Sequence, residues 1–163
     1  MIQWTANSAA YNYAYLSLLD NRISLTSTNA QTAYLVKFVN DMDKSVYYCY
    51  PDRTVTNERY VELRFTWQNP PKSVDMYDAE IGFTLAGHYK YEIYEVTWLA
   101  ASTTIADGNA PATETDVLSP AANDKGVVQG LVTKGIMNLT EETGQEQVQY
   151  TQREEPSGTN YIY

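Results

Sequence analysis

Side chains able to do chemistry are scarce in this 163-residue chain. It has one cysteine, Cys49, and one histidine, His88. A single thiol cannot close an internal disulfide, so no oxidised framework holds the fold. A Ser/His/Asp or Cys/His site would have to use His88, and no recognisable motif flanks either residue. His and Cys are too few to ligate a metal, and there is no Gly-rich phosphate loop. Basic residues are also few: 11 Lys and Arg stand against 20 Asp and Glu, a formal net charge of -9. No basic run occurs, which argues against a nucleic-acid partner, because phosphate binding needs clustered cations. No segment approaches the ~20 consecutive apolar residues that span a bilayer, so no membrane partner is expected. The opening MIQWTANSAAYNYAYLSLL lacks a basic n-region and a continuous apolar core. By pattern it is not a secretory signal, and the expectation is a soluble chain made in a cytoplasm.

Carboxylates are the remaining candidates for chemistry. Asp41 with Asp43, Asp75 with Asp78, Glu141 with Glu142 and Glu154 with Glu155 are close in sequence. None has calcium-loop spacing, and solvated turns account for them better than a metal site. A glycosidase pair would have to converge in space, which spacing alone does not test. Asn138-Leu139-Thr140 matches a glycosylation acceptor but carries little weight without a secretory signal. The expectation is therefore a protein without catalytic residues, metal or cofactor.

Tyrosine is abundant, with 15 Tyr against 3 Phe, and hydrophobic residues make up 44%. That is enough apolar material for one domain with a real core. Tyrosine packs through its ring and offers a hydroxyl to water or a partner, which suits half-exposed sheets and protein contacts. Apolar residues recur with period two, the signature of half-buried strands. Residues 59–67, RYVELRFTW, put Val61, Leu63, Phe65 and Trp67 on one face. Residues 33–39 place Tyr34, Val36 and Phe38 together. A loop at Asp41–Lys44 then pairs Phe38 with Tyr47, Val36 with Cys49, Val39 with Val46 and Leu35 with Tyr50. Both faces of that hairpin are apolar, so both should be covered, and Cys49 reads as a buried strand residue.

Residues 81–95, IGFTLAGHYKYEIYE, read as a second hairpin with a loop at Ala86-Gly87-His88. Leu85 would face Tyr89, Phe83 Tyr91 and Ile81 Ile93, with Gly87 supplying a positive φ. Beyond Ile93 the apolar role passes to Tyr94, Val96 and Trp98. Either a bulge flips the strand there or its far end meets another apolar surface. Residues 11–19, 22–28 and 126–139 also read as strands, with Gly130 and Gly135 marking bulges or close backbone approach. Residues 101–126 break the pattern and read as a surface excursion onto the domain or a neighbouring subunit.

The expected fold is all-β: an antiparallel β-sandwich, immunoglobulin-like or jelly-roll-like, of about eight strands. Residues 1–10 form an N-terminal arm, 11–153 the sandwich with its long loop 101–126, and 154–163 a C-terminal tail that follows a short strand at 147–152.

The order VYYCYP, RYVELRFTW, AGHYKYEIYE, GVVQGLVTKGIMNL and a terminal EEPSGTNYIY resembles small virion proteins of tailed bacteriophages across roughly residues 33–163. The resemblance rests on style and order and carries over no functional residues. It implies a β-sandwich capsid decoration, cement, head- or tail-associated protein: non-enzymatic, multicopy or homo-oligomeric, located in the virion, and partnered with capsid or tail subunits. A carbohydrate-binding or adhesin module for host-surface attachment is the alternative. The partner-binding residues expected are Trp4 in the arm, Tyr94, Val96 and Trp98 where the apolar face switches, and Tyr161, Ile162 and Tyr163 in the tail.

Overall fold

A computed structural model describes residues 1–6, 11–69, 73–100, 105–118 and 125–141. The strands are β1 (Ile2–Ala6), β2 (Tyr11–Leu16), β3 (Thr32–Asn40), β4 (Val46–Cys49), β5 (Asp52–Thr56), β6 (Val61–Trp67), β7 (Glu80–Ile81), β8 (Gly87–Thr97) and β9 (Val127–Glu141). They form a five-stranded sheet, β1-β9-β8-β3-β4, and a four-stranded sheet, β2-β6-β5 with β7 also paired to β6. The all-β sandwich expected from the alternation is what the chain adopts. Both sheets are mixed rather than purely antiparallel, because β1 runs parallel to β9 and β7 parallel to β6.

The alternating segments place their side chains as period two demands. Val61, Leu63, Phe65 and Trp67 of β6 are buried between the sheets. They meet Val36, Phe38 and Cys49 of the facing sheet in one cluster. Burial of each large side chain of this kind contributes ~1.5–3 kcal/mol, so this layer dominates stability. The β3–β4 hairpin has the register expected of it, with Val36 opposite Cys49, Phe38 opposite Tyr47 and Val39 opposite Val46. Its turn is fastened by Asn40, whose Oδ1 accepts the Met42 amide at 2.7 Å, and Lys44 takes a positive φ of 61°.

Three expectations fail here, and one strand was not expected. Trp4 is not in an arm. It lies in β1 at 3% exposure, against Phe65 (ring centroids 4.6 Å), Phe38 and Phe83. The polar residues around it had hidden a strand that β9 pairs and one large ring anchors. Residues 22–28 form no strand; their backbone is held by the buried Glu95 carboxylate, which accepts the Ile23 and Ser24 amides. Residues 52–56, unassigned by the alternation, form β5.

The 81–95 hairpin does not exist. Ile81 belongs to β7 beside β6, whereas β8 lies between β3 and β9 in the other sheet. The chain crosses the sandwich between them. None of the expected pairs Leu85–Tyr89, Phe83–Tyr91 and Ile81–Ile93 is a ladder pair; Phe83 instead meets the Tyr89 ring, centroids 4.6 Å apart. Leu85 is exposed, and His88 is an exposed residue of β8 rather than of a loop.

The switch on β8 resolves as a second apolar surface. Tyr89, Tyr91 and Ile93 join the inner core, whereas Val96 and Trp98 lie in a separate cluster with Leu35, Tyr50 and Ala110 on the outer face. Residues 105–118 fold back over that face as a strap. The β9 ladder is interrupted twice opposite β8, on either side of Gly130 (φ 149°), and a Cβ at Gly135 would meet the Tyr91 hydroxyl at 2.5 Å. Both glycines thus serve the purposes their positions suggested.

Candidate functional site: a tyrosine face on an edge strand

Among the described residues, those singled out in sequence fall in two places, Trp4 in the inner core and Tyr94, Val96 and Trp98 together on the outer face. Trp4 is core. Val96 and Trp98 are sealed beneath the strap, where Trp98 Nε1 donates to the Asn109 carbonyl at 3.2 Å. Tyr94 packs against that cluster and donates its hydroxyl to Glu92. The chain covers its own outer face here, so Val96 and Trp98 are buried within the chain and Tyr94 is partly covered. Tyr161, Ile162 and Tyr163 lie outside the described residues, as does the strand expected at 147–152.

The strap is tied down by polar groups. Glu114 accepts from Lys37 Nζ and from the Tyr48 hydroxyl, each at 2.5 Å, and the Tyr50 hydroxyl donates to the Pro111 carbonyl at 2.7 Å. Burial and the hydrogen bond to Glu114 both push the Tyr48 hydroxyl far above its ordinary value. Burial alone tends to raise the Glu114 carboxyl, but the bonds from Lys37 and Tyr48 outweigh it and hold that carboxyl below its ordinary value.

Cys49 is fully buried, and burial drives its thiol well above the normal range, which disfavours the thiolate. His88 is exposed on β8 opposite Asn138. Among the described residues, no group of three or more His, Cys, Asp or Glu is placed to hold a metal. Asp75 serves its own turn, accepting the Tyr77 amide while its own amide donates to Glu80.

The surface feature that stands out was missed in sequence. On β2, Asn12, Ala14 and Leu16 turn inward, and Tyr11, Tyr13 and Tyr15 turn outward at 51%, 40% and 59% exposure. Tyr60 joins them, edge-on to Tyr15 at 5.8 Å. The neighbouring strand sets charges beside this row: Tyr13 is opposite Arg64 and Tyr15 opposite Glu62. The Arg64 guanidinium lies 4.7 Å over the Tyr11 ring and is held by Asp52 at 2.7 Å. Glu62 accepts from Thr54 Oγ1 at 2.6 Å, and its hydrogen bond with Tyr15 is the main reason that the Tyr15 hydroxyl titrates above its ordinary value. Tyr15 with Tyr60, and Arg64 with both Tyr11 and Asp52, are thus in contact across this face. No family model, curated protein or solved structure matches the chain. Function therefore has to be argued from this surface. The signal that could have found it is the alternation of YNYAYL itself, in which tyrosine fills every polar-face position.

Among the described residues β2 is also an edge strand, and its hydrogen-bonding direction follows from its neighbour. The Thr66 amide donates to the Ala79 carbonyl and the Gln68 amide to that of Ile81, both at 2.8 Å and both on the β7 side of β6. Backbone groups alternate sides along a strand, so Leu63 and Phe65 turn theirs toward β2. Their partners are Ala14 and Asn12. Tyr11, Tyr13 and Tyr15 consequently direct both amide and carbonyl to the open edge. Trp4 Nε1 confirms the direction, reaching the Tyr13 carbonyl oxygen from β1 at 2.9 Å.

Proposed function

We propose that the chain is a non-enzymatic structural protein of a tailed-bacteriophage virion that binds capsid or tail subunits through the tyrosine face of its smaller sheet. The observation that carries this reading is the row Tyr11, Tyr13, Tyr15 with Tyr60 and the braced Arg64. Tyrosine and arginine are the residues that anchor protein interfaces, because they bring large contact area and a polar tip at low entropic cost. The sealed thiol of Cys49 and the exposed position of His88 fit a binding role rather than a catalytic one. The type of virion protein rests on the sequence resemblance alone. The contact surface differs from the one expected, since Trp4 and residues 105–118 are engaged within the chain.

Particles of the encoding phage should contain the chain in stoichiometric amount. A Tyr11→Ser/Tyr15→Ser variant should fold, with an unchanged far-UV spectrum, and be missing from particles. Particles without the chain, or full occupancy by the double variant, would overturn the reading. The same row of rings beside Glu62, Arg64 and Thr54 favours a second reading, a carbohydrate-binding or adhesin module, since sugars stack on aromatic faces and bond to flanking polar groups. Glycan-array binding that the double variant loses, with no incorporation into particles, would establish it instead.

A further inference from the structure

We infer that β2 pairs antiparallel with β2 of a second copy of this chain, joining two smaller sheets across a two-fold axis. Exposed edge strands are templates for further pairing, and proteins normally blunt them with charge, proline, a bulge or shortness. The other flank of the sandwich is blunted in those ways. β5 carries Asp52 and Arg53 and a register break before Val55, and β4 has only four residues before Pro51. β2 has none of these devices. YNYAYL contains no charge, proline or glycine, and it pairs without a break along β6.

Charge selects a second copy as the occupant. The chain carries a formal net charge of -9, so two copies repel across most orientations. Met1–Leu19, which includes β1 and β2, contains no Asp, Glu, Lys or Arg side chain. Among the described residues, the open edge of β2 thus carries no charged side chain of its own, so two copies can meet there strand to strand without like charges on the pairing strands. The strand is also self-complementary. With the axis at Tyr13, Tyr11 meets Tyr15 of the partner subunit, and Tyr13 meets Tyr13 of the partner subunit. All three residues direct their backbone groups to the edge, so each such pair exchanges amide and carbonyl bonds. The Tyr13 carbonyl, already accepting from Trp4 Nε1, has a second lone pair for the ladder. On the outer face, the pairing places the tyrosine rows side by side as aromatic cross-strand pairs.

This inference stands apart from the virion reading, because it concerns the purified full chain alone. Sedimentation equilibrium should show a monomer–dimer equilibrium. Tyr13→Lys adds charge to the edge while leaving the bonds to β6 in place, and should weaken association about tenfold or more at an unchanged far-UV spectrum. Val46→Lys, on the opposite flank, should leave association unchanged. If Tyr13→Lys does not fold, amide exchange of the wild-type chain decides the matter. The Tyr11, Tyr13 and Tyr15 amides should gain protection as concentration rises, while those of Asn12 and Ala14 are protected throughout. A chain that stays monomeric at about 100 μM, equal weakening by Val46→Lys, growth into open-ended assemblies, or edge amides indifferent to concentration would each overturn it.

Discussion

Glu95 shows how one buried charge organises a distant loop. Its side chain has no exposure, yet it sits on the inner face of β8 where an apolar residue would be expected. Oε1 accepts the Ser24 amide at 2.8 Å and Oε2 the Ile23 amide at 3.1 Å. Two charge-assisted bonds to backbone donors offset the cost of burying a carboxylate. They also hold residues 22–24 out of a ladder, while Arg22 braces the loop from within by donating to the Ser27 carbonyl and to Asn29 Oδ1. Glu95→Gln is nearly isosteric but has one acceptor oxygen, so one of the two amides would face an NH₂ group. The substitution should cost ~1.5–3 kcal/mol in urea unfolding. A loss below about 0.5 kcal/mol would mean that these bonds contribute no more than an ordinary surface contact. The inward parity of Glu95 was legible in sequence. Its partners were not, because they lie 71 and 72 positions away.

Among the elements, what could be read depended on how local the pairing is. The β3–β4 hairpin was legible to the register, because a short turn leaves few ways to match two apolar patterns. The inward face of β6 was legible for the same reason, since period two needs no partner. Residues 81–95 show the limit. Alternation correctly marked Ile81, Phe83, Tyr89, Tyr91 and Ile93 as buried. It could not show that Ile81 and Ile93 are buried from opposite sheets. The strap at 105–118 was legible only as an interruption, since its apolar content is thin and its hold is polar. That hold makes it sensitive to pH. The Glu114 carboxyl titrates below its ordinary value in the folded chain, so its contribution is present above the unfolded value and is lost as pH falls through the folded one. Acidification below about pH 4, the ordinary carboxylate range, should loosen the strap first, before the inner core opens. Protection of the Gly126 amide, which donates to the Asn109 carbonyl at 2.8 Å, should fall relative to its intrinsic exchange rate while protection in the centre of β8 stays high. Glu114→Gln should flatten that pH dependence. Simultaneous opening of strap and core in both chains would show that the strap is not a separate unit.

Taken as a whole, the molecule is a sandwich with two unlike flanks, and its charge distribution makes that difference measurable. The acidic excess is carried by residues after Leu19, and β1 and β2 themselves contain no charged side chain. Only part of this was legible: the net charge counts directly from sequence, but locating the neutral stretch at an open edge required the sheet order. If two copies meet at that edge, their interface contains uncharged tyrosines and backbone, and the remaining electrostatic force is repulsion between two bodies of formal charge -9. Salt screens such repulsion over a Debye length of ~10 Å at 0.1 M and ~3 Å at 1 M. Self-association should therefore strengthen as sodium chloride is raised from low to near-molar concentration. An interface held by ion pairs such as Arg64 with Asp52 of another copy would weaken instead. Sedimentation equilibrium across that salt range separates the two cases by sign alone. Association that falls with salt would place the contact on the charged faces and away from β2, whatever the oligomer's size.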